Sequence, residues 1–169
     1  MKRESNQFSM IKIFSLMFIM NLVDTGYYFV SYNIALAIVT AVLIYGLDVP
    51  GYMTGANKLV KEYYYDNALK SYKLDVVLIL FYIIVGTLIA RLTGSTSEPS
   101  KLLSVIAACI IISGGFMIAF KKGYKKGSFF SRWFAKVGWH AVAYDIVLVS
   151  SVYLLTETIQ RRFFSHDKP

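Results

Sequence analysis

Three aspartates lie inside, or at the mouth of, long apolar stretches of this 169-residue chain: Asp24, Asp75 and Asp145. A charged side chain inside a lipid bilayer costs roughly 3 kcal/mol even on the most lenient scale, so each acid needs a physical reason. Asp145 is the acid most clearly inside an apolar run, and Tyr144 precedes it. One hypothesis is a proton or cation relay in which Asp145 is the buried carrier and His140 lies at the mouth.

The alternative hypothesis is structural. Asp75 and Asp145 would then pair with Lys12, Lys73, His140 or the tyrosines and set the register of neighbouring helices. His140 and Asp145 lie about 140° apart around a helix of about 3.6 residues per turn, so they do not form a His–Asp catalytic pair within one helix. Both hypotheses remain open on the sequence alone.

Signatures of the common enzyme classes are missing from the sequence. It has no glycine-rich phosphate loop, no pair of histidines spaced along a helix and no G-x-S-x-G motif. Cys109 is the one cysteine, and neither His140 nor His166 has a second strong metal ligand nearby in the sequence. We therefore predict no enzyme activity, no cofactor and no metal site.

The acids must be positioned by helices that cross a membrane. Hydrophobic residues make up 56% of the chain, more than a soluble domain of this length could bury in one core. The first apolar run is about twice the ~20 residues that one span needs, and residues 31–33 are suited to a tight turn within it. We predict a single all-α integral membrane domain, residues 1–169, with about five transmembrane helices. The spans cover approximately residues 11–30, 34–49, 74–92, 102–120 and 137–159.

Basic residues gather at the ends of the apolar runs, which explains the net charge of +8. We therefore predict contact with the bilayer and its anionic headgroups, and no nucleic-acid partner. In the five-span arrangement the N-terminus and both long loops share the more basic side, which predicts a cytoplasmic N-terminus; Arg161 and Arg162 are exceptions. The candidate lipid or partner contacts are Lys121, Lys122, Lys125, Lys126, Arg132, Trp133 and Lys136.

Two stretches of the chain match each other at an offset of about 70 residues. The glycine-bounded segments 51–55 and 123–127 each precede an aromatic, basic loop. Each loop leads into a matching run that begins with an acid: Asp75-Val76-Val77-Leu78 and Asp145-Ile146-Val147-Leu148. This pattern predicts a duplicated helical hairpin with the copies related by an axis along the membrane normal. Chance similarity between apolar spans is the alternative.

The stretch from Phe130 to Leu148, together with the run from Asp75 to Tyr82, resembles small multi-span membrane proteins of large nucleocytoplasmic DNA viruses. That group has no established activity, so the resemblance implies only a virion or host internal membrane. Our first functional hypothesis is a structural or interaction role in a membrane, with copies of itself or other membrane proteins as partners. The alternative is a small transporter or a proton- or cation-conducting pore that uses Asp145.

Overall fold

The computed structural model describes residues 24–164, and every regular element in that range is helical. Four long helices form the bundle: α1 (Asp24–Gly46), α4 (Ala68–Leu92), α5 (Glu98–Lys122) and α7 (Trp139–Ile159). Short helices lie between them: α2 (Val49–Thr54), α3 (Asn57–Lys61) and α6 (Phe129–Val137). π-helical segments end α1 (Thr40–Gly46), follow α3 (Glu62–Asp66) and extend α7 (Gln160–Phe164). The prediction of an all-helical bundle is confirmed.

Each long helix is long enough and apolar enough to cross a bilayer. The shortest, α7, has 21 residues, which at about 1.5 Å per residue exceeds the ~30 Å thickness of a hydrocarbon core. Large apolar side chains such as Ile84, Ile111 and Leu154 remain exposed on the outside of the bundle. Four such helices are compatible with a membrane protein, because lipid can solvate these side chains.

α1 runs without a break through residues 31–33, where the sequence predicted a turn between two spans. The prediction of a turn there is wrong. The Tyr32 hydroxyl donates to the Val76 carbonyl at 2.7 Å, and the Ser31 hydroxyl donates to Gln160 Oε1 at 2.9 Å. These polar side chains find partners on other helices, so the chain does not need to leave the bundle to satisfy them.

The boundaries of the other predicted spans agree only in part with those of the helices. The predicted span 11–30 lies mostly outside the described residues, so the count of five stays a prediction. The predicted spans 74–92, 102–120 and 137–159 each coincide with one long helix, but α4 and α5 begin earlier than predicted. A helix can extend past the apolar core because lysines in its end turns reach into the headgroup zone.

α4 and α5 pack against each other as a hairpin. A Cβ atom added to Gly86 of α4 would lie 2.7 Å from the Cα of Val105 on α5, so the two backbones meet at a position that only glycine allows. The N-terminus of α5 is capped by Ser97, whose side chain accepts a hydrogen bond from the backbone N–H of Ser100. This hairpin supplies two of the walls of the site described below.

α6 is an amphipathic helix that covers one end of the bundle. Ser128 caps its N-terminus, and Gly138 ends it with φ 60° and ψ −129°, a conformation reserved for glycine. The chain therefore turns a sharp corner from α6 into α7 without a connecting loop. The face of α6 that carries Trp133, Phe134 and Val137 is buried as a result.

The order long helix, short helices, long helix occurs twice, in α1–α4 and in α5–α7. The short helices of the two units lie at the same end of the bundle, where Glu62 and Arg132 form an ion pair. These residues are 70 positions apart, the offset at which the sequence matches itself. The duplication itself stays a prediction.

Candidate functional site

Asp75 and Asp145 line one cavity of about 170 Å³, enclosed by α4, α5 and α7 and covered by α6. Each acid lies near the beginning of its helix, α4 or α7, at the end of the bundle where the short helices gather. The remaining wall is apolar and rich in aromatic rings: Tyr63, Tyr64, Tyr82, Phe116, Phe120, Phe129, Phe130, Trp133, Phe134 and Tyr144, with Leu74, Leu78, Ile79, Leu148 and Val149. Among the described residues that line it, none is a lysine or an arginine.

The carboxylate of Asp75 is held by a tyrosine from the segment after α3. The Tyr63 hydroxyl donates to Asp75 Oδ1 at 2.8 Å, and the Tyr63 ring stacks on Phe129 with centroids 4.7 Å apart. Burial raises the pKa of Tyr63, and the neighbouring negative charge of Asp75 raises it further. The phenol therefore keeps its proton and remains a hydrogen-bond donor.

The carboxylate of Asp145 is held by a serine of α5. The hydroxyl of Ser113, which is fully buried, donates to Asp145 Oδ2. Within residues 24–164, the second oxygen of neither Asp75 nor Asp145 has a hydrogen-bond partner. Each carboxyl group is thus fixed by one oxygen and leaves the other available to a proton or a ligand.

A pair of tyrosine hydroxyls lies beside the acids. The oxygens of Tyr64 and Tyr144 are 2.8 Å apart, and both side chains are buried. The Tyr64 carbonyl accepts a hydrogen bond from Tyr45 of α1, which ties this segment to the first helix. Burial raises the pKa of Tyr64, so its hydroxyl stays protonated. Hydroxyls both donate and accept, and such a pair can pass a proton.

An ion pair joins α6 to the π-helical segment that follows α3, and both of these segments line the cavity. Arg132 Nη1 donates to Glu62 Oε2 at 2.7 Å and Nη2 donates to Oε1, which is the bidentate geometry typical of arginine and carboxylate. The hydrogen bonds from Arg132 lower the pKa of Glu62. The two segments that cover the cavity are thereby connected.

We expect acid to remove the stabilisation that this ion pair provides. Because the pKa of Glu62 is lower in the folded protein than its ordinary value of 4.5, the contribution is fully present above pH 4.5 and is lost as the pH falls through the folded-state pKa. The measurement is the thermal unfolding midpoint in detergent against pH, for the wild type and Glu62→Gln. The difference between the two proteins should shrink on acidification, and a constant difference would contradict the prediction.

A second cavity, of about 600 Å³, lies towards the opposite end of α4, α5 and α7. It carries the polar side chains Tyr28, Thr87, Arg91, Ser95, Lys101, Tyr153 and Glu157. The two cavities share no described lining residue, and the buried apolar side chains of Cys109 on α5 and Val152 on α7 lie between the residues that line them. The described bundle thus has a chamber towards each end and an apolar barrier between them.

The structure brings together three of the five polar residues that the sequence analysis singled out: Asp75, Asp145 and Tyr144. His140 is exposed in the first turn of α7 and does not line the cavity, and Asp24 is exposed at the first described position of α1. Neither Asp75 nor Asp145 forms an ion pair with a described lysine or histidine; Asp75 pairs with a tyrosine, as the structural hypothesis allowed. Lys12 lies outside the described residues.

Three residues of the site were missed by the sequence analysis: Tyr63, Tyr64 and Ser113. The sequence signal for them is weak, because Tyr63 and Tyr64 are two of five tyrosines in one loop and serines are common inside apolar helices.

The predicted lipid or partner contacts divide into two groups. Five lysines are exposed at or near α6: Lys121, Lys122, Lys125, Lys126 and Lys136. Arg132 is partly buried by its ion pair with Glu62. Trp133 is only 7% exposed and stacks on Phe129, so the structure corrects the prediction that it contacts headgroups. The amphipathic α6 directs this ring into the cavity wall.

In the range 24–164, no group of three or more histidine, cysteine, aspartate or glutamate side chains could hold a metal ion. Cys109 is free and buried between α5 and its neighbours. Comparison of the chain with protein-family models, with curated proteins and with solved structures found no match.

Proposed function

We propose that this chain is a multi-pass integral membrane protein that transfers protons or small cations across the bilayer, with Asp75 and Asp145 as the exchanging groups. The observation that carries the proposal is that these two acids share one cavity within a bundle of long apolar helices. Ionisable side chains within membrane-spanning helices are costly, and they commonly mark ion and proton pathways.

The arrangement of cavities supports the same proposal. A proton or cation enters the chamber of Asp75 and Asp145, where the hydroxyls of Tyr63, Tyr64 and Tyr144 supply further hydrogen-bonding groups. The apolar barrier separates a proton or cation in this first chamber from the second chamber. Transfer then requires the barrier to open while the first chamber closes, which is the alternating access typical of small transporters.

The test is a flux assay on the purified protein in liposomes with an imposed pH gradient and a pH-sensitive dye inside. We expect the wild type to dissipate the gradient, and the double variant Asp75→Asn/Asp145→Asn to be inactive at the same level of insertion. Asp66→Asn is the matched control, because Asp66 is exposed and lines neither chamber. Failure of correctly folded wild type to conduct protons or small cations in either direction would overturn the proposal.

A structural or interaction role is the second candidate function. The exposed lysines Lys121, Lys122, Lys125 and Lys126 form no ion pair with an acid in the described part of the chain, so their charge is available to anionic headgroups or an acidic partner. The predicted viral or host internal membrane would be the setting. This role requires no proton exchange at Asp145.

Reversing the charge of this lysine cluster tests the interaction role separately from the transport role. If the lysine cluster holds anionic lipid, changing all four lysines to glutamate should remove most of the phosphatidylserine that co-purifies in mild detergent. The control is Arg162→Glu, which alters an exposed charge at the opposite end of α7. Equal phosphatidylserine in the wild type and the four-lysine variant would exclude a lipid-binding role for the cluster.

A further inference from the structure

We propose that the cavity around Asp75 and Asp145 binds a small lipophilic organic cation, an ammonium ion carrying one aromatic ring or a few alkyl groups. The biological meaning of this substrate class rests on the proposed transport function, but the site can be tested by binding alone. The charge, the walls and the size of the cavity each favour this class of ligand.

The charge of the cavity selects a cation. Two carboxyl groups face it, and among its described lining residues no lysine or arginine offsets them. Tyr63 and Ser113 each hold one carboxylate oxygen, which fixes both acids in place. The free oxygens can accept hydrogen bonds from an ammonium group, and such charge-assisted bonds are the stronger kind.

The walls of the cavity favour an organic cation over a metal ion. Ca²⁺ and Mg²⁺ require about six oxygen ligands, whereas most of the lining here is aromatic or aliphatic carbon. Aromatic rings stack into a continuous surface, with Tyr63 on Phe129 at 4.7 Å and Phe129 on Trp133 at 5.9 Å. Ring faces attract ammonium groups electrostatically and also bury the attached carbon atoms.

The size of the cavity limits the ligand. A dry apolar cavity of about 150 Å³ accommodates one benzene molecule. The present cavity is about 170 Å³, which leaves room for one aromatic ring and a short ammonium substituent. Benzylammonium is therefore a suitable probe. Benzyl alcohol has nearly the same shape without the charge, and it is the matched neutral probe.

Trp133 offers a direct signal, because it lines the cavity and is one of two tryptophans in the chain. The other, Trp139, is 63% exposed, and Trp139→Phe leaves Trp133 as the sole tryptophan. In this background the purified full chain in detergent is titrated with each probe. We expect benzylammonium to change the Trp133 fluorescence saturably, and benzyl alcohol to bind at least about tenfold more weakly.

Each acid is then replaced by asparagine in the Trp139→Phe protein. Asp75→Asn and Asp145→Asn should each weaken benzylammonium binding by at least about tenfold, and leave benzyl alcohol binding unchanged. Asp66→Asn should alter neither. If the variants do not fold, the comparison of the two probes on the intact site still decides.

Equal affinity for the two probes, or benzylammonium affinity that is insensitive to both substitutions, would overturn the cation site and leave an apolar cavity. Absence of benzylammonium binding together with proton flux that depends on Asp145 would also overturn it, while transport stands. Saturable, acid-dependent binding without any flux would support the cation site and refute transport.

Discussion

Replacing Asp145 with asparagine is expected to lower the proton flux of the reconstituted protein by about a hundredfold, the usual scale for loss of a positioned proton-transfer group. The amide has almost the same size as the carboxyl group, and its carbonyl oxygen can still accept the hydrogen bond from Ser113. The substitution therefore preserves the packing of α5 on α7. It removes the negative charge of the carboxylate and the ability to gain and lose a proton.

The measurement is the rate of gradient dissipation in liposomes containing equal amounts of folded wild type, Asp145→Asn and Asp66→Asn. Ser113→Ala gives an internal comparison, because it removes the group that orients Asp145 and leaves the acid itself in place. We expect its loss of flux to be smaller than that of Asp145→Asn. Flux in Asp145→Asn equal to that of the wild type would rule out Asp145 as the carrier and favour the structural hypothesis for this acid.

Replacing Gly86 with alanine is expected to destabilise the protein by roughly 1–3 kcal/mol, the usual cost of overpacking. The added Cβ would lie 2.7 Å from the Cα of Val105 and 3.1 Å from its backbone nitrogen. Because these are backbone atoms, no change of side-chain rotamer relieves the clash. α4 and α5 must separate, and Val105 lines the second cavity.

Gly115→Ala is the matched control for Gly86→Ala. Gly115 lies in α5 with nothing within 4 Å of an added Cβ, so the same substitution there should raise stability by roughly 0.5–1 kcal/mol through helix propensity. Thermal unfolding midpoints in one detergent should therefore move in opposite directions for the two variants. A Gly86→Ala protein as stable as the wild type would show that α4 and α5 do not meet at this glycine.

Much of the architecture could be predicted from local properties of the sequence. Apolar runs of spanning length located α4, α5 and α7, although α4 and α5 begin earlier than those runs indicated. The same reasoning failed at residues 31–33, because a polar cluster inside an apolar run is typical of a turn. Such a cluster is equally compatible with a helix whose polar side chains form hydrogen bonds to other helices.

The candidate site could be predicted only in part. The cost of a buried charge identified Asp75 and Asp145 without any knowledge of their neighbours. Nothing in the spacing indicated that Tyr63 and Ser113 would hold them, or that Trp133 would line the cavity instead of contacting headgroups. The one sequence feature that linked the two acids was their matching position at an offset of 70 residues, and the structure places both in one cavity.

By itself, then, the sequence determined the all-helical architecture, the long apolar helices from α4 onward and the acids that need an explanation, because hydropathy and charge act along a single helix. Only the tertiary structure decided which side chains meet. The contacts of the site join residues 12, 32 and 80 positions apart, Tyr63 to Asp75, Ser113 to Asp145 and Tyr64 to Tyr144. Such partners are selected by the packing of whole helices, which no local pattern of residues encodes.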